Sequence, residues 1–290
     1  MAADPLVDIL LVNWNGRDVT LDCLASIRSL TYPRFRVTVV DNASSDGSVP
    51  AIRSAFPDAA ILEQPTNTRF AGGNNIALRH ALDNGAELLC LLNNDTVVDP
   101  AMLTWLVRAW QSAPTAGMIS PKILYHLAPG RLWYAGGRVS MWTGTLEHLG
   151  IRESDGWGPA ETVETGFATG CCLLTGRDVV ERVGLLDESF FMYTEDVDWC
   201  LRARGAGYRI LYEPRARCLH KISASAGGHL SAFKLRNKFL SNLRLFARHA
   251  EWYHWLTFPW LTLPANLLAA IRYFFQRARI ARAPARTGAK

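Results

Sequence analysis

Acidic side chains nearly vanish from the C-terminal stretch of this chain: after Glu213 only Glu251 carries a carboxylate, while Lys and Arg continue to Lys290. Such a stretch cannot neutralise itself and predicts an anionic partner, either phosphate or a membrane surface. The six cysteines, at 23, 90, 171, 172, 200 and 218, form no CxxC pair and no secreted-type framework. That spacing argues against a zinc cluster or a disulfide scaffold and predicts buried thiols in a reducing compartment. Neither GxGxxG nor GxxxxGK followed by Ser or Thr occurs, so nicotinamide and P-loop readings have no support. The opening Met1-Ala2-Ala3-Asp4-Pro5 lacks a basic segment followed by a long apolar one, and no cleaved export signal is expected. Basic residues without interleaved aromatics along a groove argue against nucleic acid as a partner.

What is present fits a large folded domain. With 49% hydrophobic and 20% charged residues in 290, the chain can bury a substantial core, and it reads as one large α/β domain with a smaller appendage. Strands are expected over Val7–Val12, Phe35–Val40, Ala60–Leu62 and 88–92, alternating with helices, as a parallel doubly wound sheet requires. Residues Asn67 to Asn75 read as a Gly- and Asn-rich loop before a helix near Ile76 to Leu82. Alternating aromatics and paired glycines over Trp133 to Leu149 suit antiparallel hairpins. Beyond these lie a strand at Gly170–Thr175, helices over Arg177–Val183, Asp196–Gly205 and Leu230–His249, and a strand at Arg209–Tyr212.

Chemistry gathers at the strand ends. The apolar run Leu88 to Leu92 stops at Asn93-Asn94-Asp95, which places a carboxylate where open α/β sheets bind ligands. Asp41 and Asn42 end the second strand, and an acceptor beside an amide matches the imide edge of a pyrimidine; Asn13, Trp14 and Asn15 can add a wall. Turn and cap chemistry alone is the alternative for both clusters. In the 67–75 segment, Arg69 can meet a phosphate, while Gly72 and its neighbour Gly73 let backbone approach a ligand beside Asn74. Thr194-Glu195-Asp196-Val197-Asp198 sets three carboxylates at a helix start, after the aromatic approach Phe190-Phe191-Met192-Tyr193. Asp198 reads as a capping acid there, whereas a partly dry setting would make Glu195 or Asp196 a better base. His220, followed by Lys221 and Ser223, is placed after a short loop; with an Asp and diphosphate oxygens it makes a plausible Mg²⁺ or Mn²⁺ shell.

Taken in order, Val12-Asn13-Trp14-Asn15-Gly16, Val40-Asp41-Asn42-Ala43-Ser44-Ser45-Asp46-Gly47, Gly72-Gly73-Asn74-Asn75, Asn93-Asn94-Asp95, Thr194 to Asp198 with Cys200-Leu201-Arg202, and His220-Lys221 with Ser223 resemble the family 2 glycosyltransferases, especially the rhamnosyltransferase-like bacterial branch. The resemblance implies a GT-A fold over 1–250, with a nucleotide half to about 120 and an acceptor half to about 250. It further implies a dTDP- or UDP-type sugar donor and inverting transfer to a hydroxyl of a cell-surface glycan or lipid-linked acceptor. By it, Asp196 is the expected base with Glu195 the alternative, Asp95, Asn93 and His220 are the metal position, and Asn94 and Lys221 join the donor-binding set. Asn93 stands where the family's Asp-x-Asp element has its first acid, and the lost charge should weaken metal binding. A catalytically silent sugar-nucleotide-binding or scaffolding subunit, and a nucleotidyltransferase, are the alternative functions.

Residues 251–290 read as a basic, aromatic helical tail. Trp252 to Phe275 could span a bilayer in length, but its His, Pro, Asn and Arg residues favour an interfacial helix or hairpin, with Arg277, Arg279, Arg282 and Arg286 toward an anionic leaflet. The expected location is therefore cytoplasmic, at the inner face of the membrane. Packing on the catalytic domain or on a second copy in a homodimer is the alternative.

Overall fold

A computed structural model describes residues 4–221, 232–257 and 260. The first half alternates β1 (Val7–Asn13), α1 (Arg17–Ile27), β2 (Phe35–Asp41), α2 (Ser48–Ala55), β3 (Ala60–Glu63), α3 (Arg69–Asp83) and β4 (Leu88–Leu92). All five residues of β4 are buried, the continuous apolar pattern of a strand covered on both faces. β1 pairs in parallel with both β2 and β4, and β3 continues beyond β2. Chain order therefore runs outward from β1 in one direction and then returns to its other side at β4. The crevice at this reversal is where a doubly wound sheet accepts ligands, because the adjacent connections leave in opposite directions.

The second half continues with β5 (Thr96–Val98), α4 (Met102–Ser112), β6 (Ala116–Tyr125), β7 (Ala128–Tyr134), β8 (Gly137–Ser140), β9 (Thr145–His148), β10 (Val163–Glu164), β11 (Cys172–Gly176), α5 (Arg177–Val183), α6 (Glu195–Gly205), β12 (Arg209–His220) and α7 (Ala232–His249), then a 3-10 turn over Trp252–Leu256. The sheet order is β10-β12-β6-β11-β4-β1-β2-β3, with β5 on β12 and β7 on β6. β11 is antiparallel to both β4 and β6, and β12 is parallel to β6, so one mixed sheet joins both halves. β8 and β9 form the expected separate hairpin. Apolar side chains from both halves make a single core that includes Leu11, Leu91, Ile119, Leu174 and Trp199.

Three readings of the sequence need correction. α3 begins at Arg69, so Gly72, Gly73 and Asn74 lie within a helix and not in a loop. Its glycines serve packing: a Cβ on Gly73 would lie 2.8 Å from a Val12 methyl, and one on Gly72 would lie 3.0 Å from Thr68 Cβ. Close approach of helix to strand explains these residues, since only a hydrogen fits there. β12 continues past Tyr212 to His220, absorbing Pro214 and Arg215 in a register shift between Glu213 and Arg217. A proline at a bulge leaves no ladder donor missing, which is why the apparent turn is strand. Asp198 is no cap: its fully buried carboxylate pairs with Arg202 at 2.8 Å, His249 at 2.8 Å and Arg248 at 3.4 Å. The strand β6 and helix α4 had no counterpart in the sequence reading.

Of the C-terminal tail, residues 258–259 and 261–290 lie outside the described residues, as does Ser223. Among the described residues no helix is long and apolar enough to cross a membrane.

Candidate active site

The floor of the crevice is a network of amides and carboxylates. Asn13 donates from Nδ2 to Asp41 Oδ1 at 2.8 Å and to Ser44 Oγ at 3.1 Å, and its Oδ1 accepts from Thr20 Oγ1 and Asn94 Nδ2. Asp41 Oδ2 accepts the Ser44 N–H at 2.9 Å. Asn42 donates to the Arg69 carbonyl and accepts from the Thr68 hydroxyl at 2.7 Å, so it fastens the start of α3 to the end of β2. These buried polar groups fix one another, as a low-dielectric interior demands. The amide edge that Asn42 was expected to show a base is turned to α3, while Asp41 keeps spare acceptor capacity because each oxygen can accept twice.

Above this floor opens a cleft of about 780 Å³. Trp14, half exposed, and Asn15 stand on the β1 side, Arg17 on the first turn of α1, Arg69, Phe70 and Asn74 on α3, and Asn93, Asn94 and Asp95 at the end of β4. Asn74 Nδ2 is already given to the Phe70 carbonyl at 2.9 Å, leaving its Oδ1 as the free atom type for a ligand. The Arg69 guanidinium stacks 4.0 Å over the Phe191 ring, tying α3 to the segment that enters α6. Two guanidiniums, an indole and a row of amides suit an anionic nucleotide. Arg17 was missed in the sequence although its signal was available: a basic residue in the first helical turn behind a strand end.

β-Pairing, and not sequence proximity, brings His220 to Asp95. His220 at the end of β12 lies opposite Thr96 of β5, and the Lys221 N–H donates to the Asp95 carbonyl at 2.8 Å. The register sets His220 Nε2 3.1 Å from Asp95 Oδ1, both side chains being almost fully buried. The Trp133 indole packs edge-on at 4.5 Å against the His220 ring. A carboxylate, an imidazole and the cleft-facing amide of Asn93 are donor types that a divalent cation accepts, so the residues fit such an ion. Among the described residues no cluster of three His, Cys, Asp or Glu forms, so phosphate oxygens must complete any shell.

The acids of α6 lie next to this cleft. Asp196 Oδ2 accepts the Gly170 N–H at 2.8 Å, and Oδ1 accepts the Val197 N–H at 2.8 Å. A Cβ on Gly170 would come within 2.9 Å of the Phe70 ring and 3.4 Å of Asp196 Cβ, so this glycine lets a cleft wall and Asp196 meet. No sequence signal pointed to it. Burial raises the pKa of the Cys171 thiol, and neighbouring charges, Cys218 first and then Asp95, Cys23 and Asp196, raise it further. Burial raises the pKa of Asp196, with the backbone hydrogen bonds opposing it. Burial, then the charge of Asp196, pushes Glu195 up to about 8. The entry to this turn is strained: Tyr193 and Thr194 both have φ of +66°. Asn75, which the sequence reading left without a role, ties α3 to the segment upstream of this turn by donating to the Leu186 carbonyl and to Glu188. Lys221 is drawn elsewhere, its ammonium pairing with Asp22 at 2.5 Å.

A mixed sheet with its parallel half reversing over a carboxylate at a strand end defines the GT-A architecture. A solved structure of that fold, a mannosyltransferase from Pyrobaculum calidifontis in complex with GDP-Man and Mn²⁺, matches over 98% of this chain and 82% of that one, with TM-score 0.63 and 22% identity. The chain belongs to glycosyl transferase family 2, whose profile matches residues 8–184, and is by that membership an enzyme of glycosyl transfer. An O-antigen biosynthesis protein RfbC of Myxococcus xanthus is 31% identical over 76% of this chain, which spans 18% of that longer protein. An N-acetylglucosaminyl-diphospho-decaprenol L-rhamnosyltransferase of Mycobacterium tuberculosis is 25% identical, with 88% of this chain and 90% of the relative covered.

Proposed function

We propose that the protein transfers a hexosyl group, rhamnosyl in the first instance, from a pyrimidine nucleoside diphosphate sugar to a hydroxyl of a glycan or lipid-linked acceptor, with inversion at the anomeric carbon. The observation that carries this reading is Asp95 in the cleft wall with His220 Nε2 3.1 Å away, together with Asp196 held at Gly170 against the cleft-lining Phe70. The rhamnosyl choice rests on the Mycobacterium relative, and the pyrimidine choice on Asp41 with its unused acceptor capacity.

Trp14 and Asn15 would bracket the base, and Arg17 and Arg69 would meet the diphosphate. Asp95, His220 and Asn93 would hold a divalent cation, which when bound offsets charge on the departing diphosphate. Asp196 takes the proton from the acceptor hydroxyl as its oxygen bonds to the anomeric carbon, while the bond from that carbon to the diphosphate oxygen breaks on the opposite face. Displacement from the back inverts the centre, and the nucleoside diphosphate leaves with the electron pair. Asp196 suits the task because two backbone N–H groups orient its carboxylate.

The test is a thermal-shift screen of nucleoside diphosphate sugars with and without Mn²⁺. A dTDP- or UDP-sugar should raise the melting temperature selectively, and more with the metal. Asp95→Ala should weaken nucleotide affinity at least about tenfold in Mn²⁺, the scale of losing one charge-assisted contact, and change little in chelator. Equal calorimetric affinities of variant and parent in Mn²⁺ would remove Asp95 from the metal position.

Peripheral contact with the cytoplasmic membrane face belongs to the same reading. The 3-10 turn exposes Trp252, Trp255 and Leu256, and Trp260 beyond it is 77% exposed, an aromatic set suited to a lipid interface. Removing residues 252–290 should abolish flotation with anionic liposomes; undiminished flotation would exclude the tail as the anchor.

A further inference from the structure

A separate cavity of about 460 Å³ opens where the last turns of α4 meet the start of β12 and the lead-in to the edge strand β10. Arg209 and His220 are the two ends of β12, so at about 3.3 Å per residue, with a bulge, this cavity lies about 30 Å from His220. The guanidiniums of Arg108, Arg209 and Arg215 line it, and among the described residues that do so none is acidic. Carboxylates outside the lining hold two of the three. Arg215 forks onto the fully buried Glu213, with Nε at 2.8 Å and Nη2 at 2.9 Å, and its guanidinium lies 4.4 Å over the Trp105 ring. Arg209 gives Nε alone, to Glu164 at 3.2 Å, and keeps both terminal nitrogens unspent. Arg108 has no carboxylate partner among the described residues; its guanidinium meets the same Trp105 ring at 5.2 Å.

We propose that this cavity is a second ligand site, which takes a small organic anion by its phosphate or carboxylate group. Guanidinium donors that converge on a space without an acceptor match an oxyanion, because a carboxylate or phosphate accepts two parallel N–H bonds from one planar fork. Arg108 and the terminal nitrogens of Arg209 grip the oxyanion. Arg215 adds a positive charge that Glu213 and Trp105 hold in place, so little side-chain freedom is lost when a ligand arrives. The cavity is larger than a bare ion needs, and the buried Ala109 and Leu211 in its lining offer apolar surface to a carbon body. No residue is shared with the nucleotide cleft, and the inference stands apart from the transferase reading.

Fluorine NMR of the full chain labelled with 5-fluorotryptophan tests this at the site itself. Trp105→Phe identifies the Trp105 resonance by its disappearance. Inorganic phosphate and methyl glucuronoside are the two probes, and the tighter one names the head group; saturable movement of the Trp105 resonance by either supports the site. Arg108→Gln and Arg209→Gln should each weaken that response at least about tenfold, the scale of one lost charge-assisted contact. Both side chains are exposed, and circular dichroism establishes that the variants are folded. Methyl glucoside, which has the ring without the charge, should leave the resonance in place, as should sodium chloride at matched ionic strength. No saturable movement with either anion, equal movement with the neutral glycoside or with chloride, or parent-like affinity in either arginine variant would each overturn the site.

Discussion

Asp196→Asn is expected to lower sugar transfer roughly 10²–10⁴-fold, the range that a positioned general base supplies. Affinity for the nucleotide sugar should stay the same, since Asp196 belongs to α6 and takes no part in the network under the nucleotide cleft. The amide can keep one oxygen toward the Gly170 N–H, so the turn should hold its shape. The variant therefore separates chemistry from binding and folding. The pH profile gives a second check. Burial raises the Asp196 pKa, so the base becomes protonated, and activity falls, at a higher pH on the acid side than an ordinary carboxylate would give. Calorimetry of donor binding beside a transfer assay reads both effects. Substantial turnover in the variant, with donor bound, would remove Asp196 from proton transfer.

The second large effect falls on stability. Asp198 is fully buried and ties α6 to the end of α7 through His249 and Arg248, and to its own next turn through Arg202. Asp198→Ala leaves these partners facing a void. Removing one member of a fully buried pair costs roughly 3–5 kcal/mol; because Arg248 is 43% exposed and water can reach it, about 2–3 kcal/mol is expected. Burial alone would raise the pKa of Asp198, but the hydrogen bonds from His249 and Arg202 outweigh it and hold the carboxyl below its ordinary value. The contribution is accordingly complete above the unfolded carboxylate value, about 3.9, and is lost as pH falls from there through the lowered native pKa. Denaturant unfolding at neutral and acidic pH should show the parent and Asp198→Ala converging as the medium becomes acid. A constant gap across that range would contradict the assignment.

Elements whose residues carry their own signal were legible in the sequence. β1, β2 and β4 are short apolar runs ended by Asn or Asp, and those endings named Asn13, Asp41 and Asp95 before any fold was in view. The Asn- and Gly-rich stretch before Ile76 misled because its composition is that of a loop; what makes it helix is tertiary, namely Asn42 fastening Thr68 and Arg69, and Val12 leaving room only for a hydrogen at Gly73. β12 was cut short at Tyr212 because Pro214 looks like an ending until β6 is present to accommodate a bulge. Two partners of Asp198, Arg248 and His249, lie on a helix too distant in sequence for spacing to suggest them. Gly170 had no signal, since its role exists only where Phe70 and Asp196 converge.

The pairing of β5 with the last strand of the sheet has a consequence for biosynthesis. A growing polypeptide that has emerged as far as α6 already contains every residue of the crevice floor, yet the imidazole at 220 is still to come. Contacts this far apart along a chain close late, because the intervening loop must first surrender its freedom. With the proposed cation position shared by Asp95 and His220, that position is complete only once the final β-segment has paired.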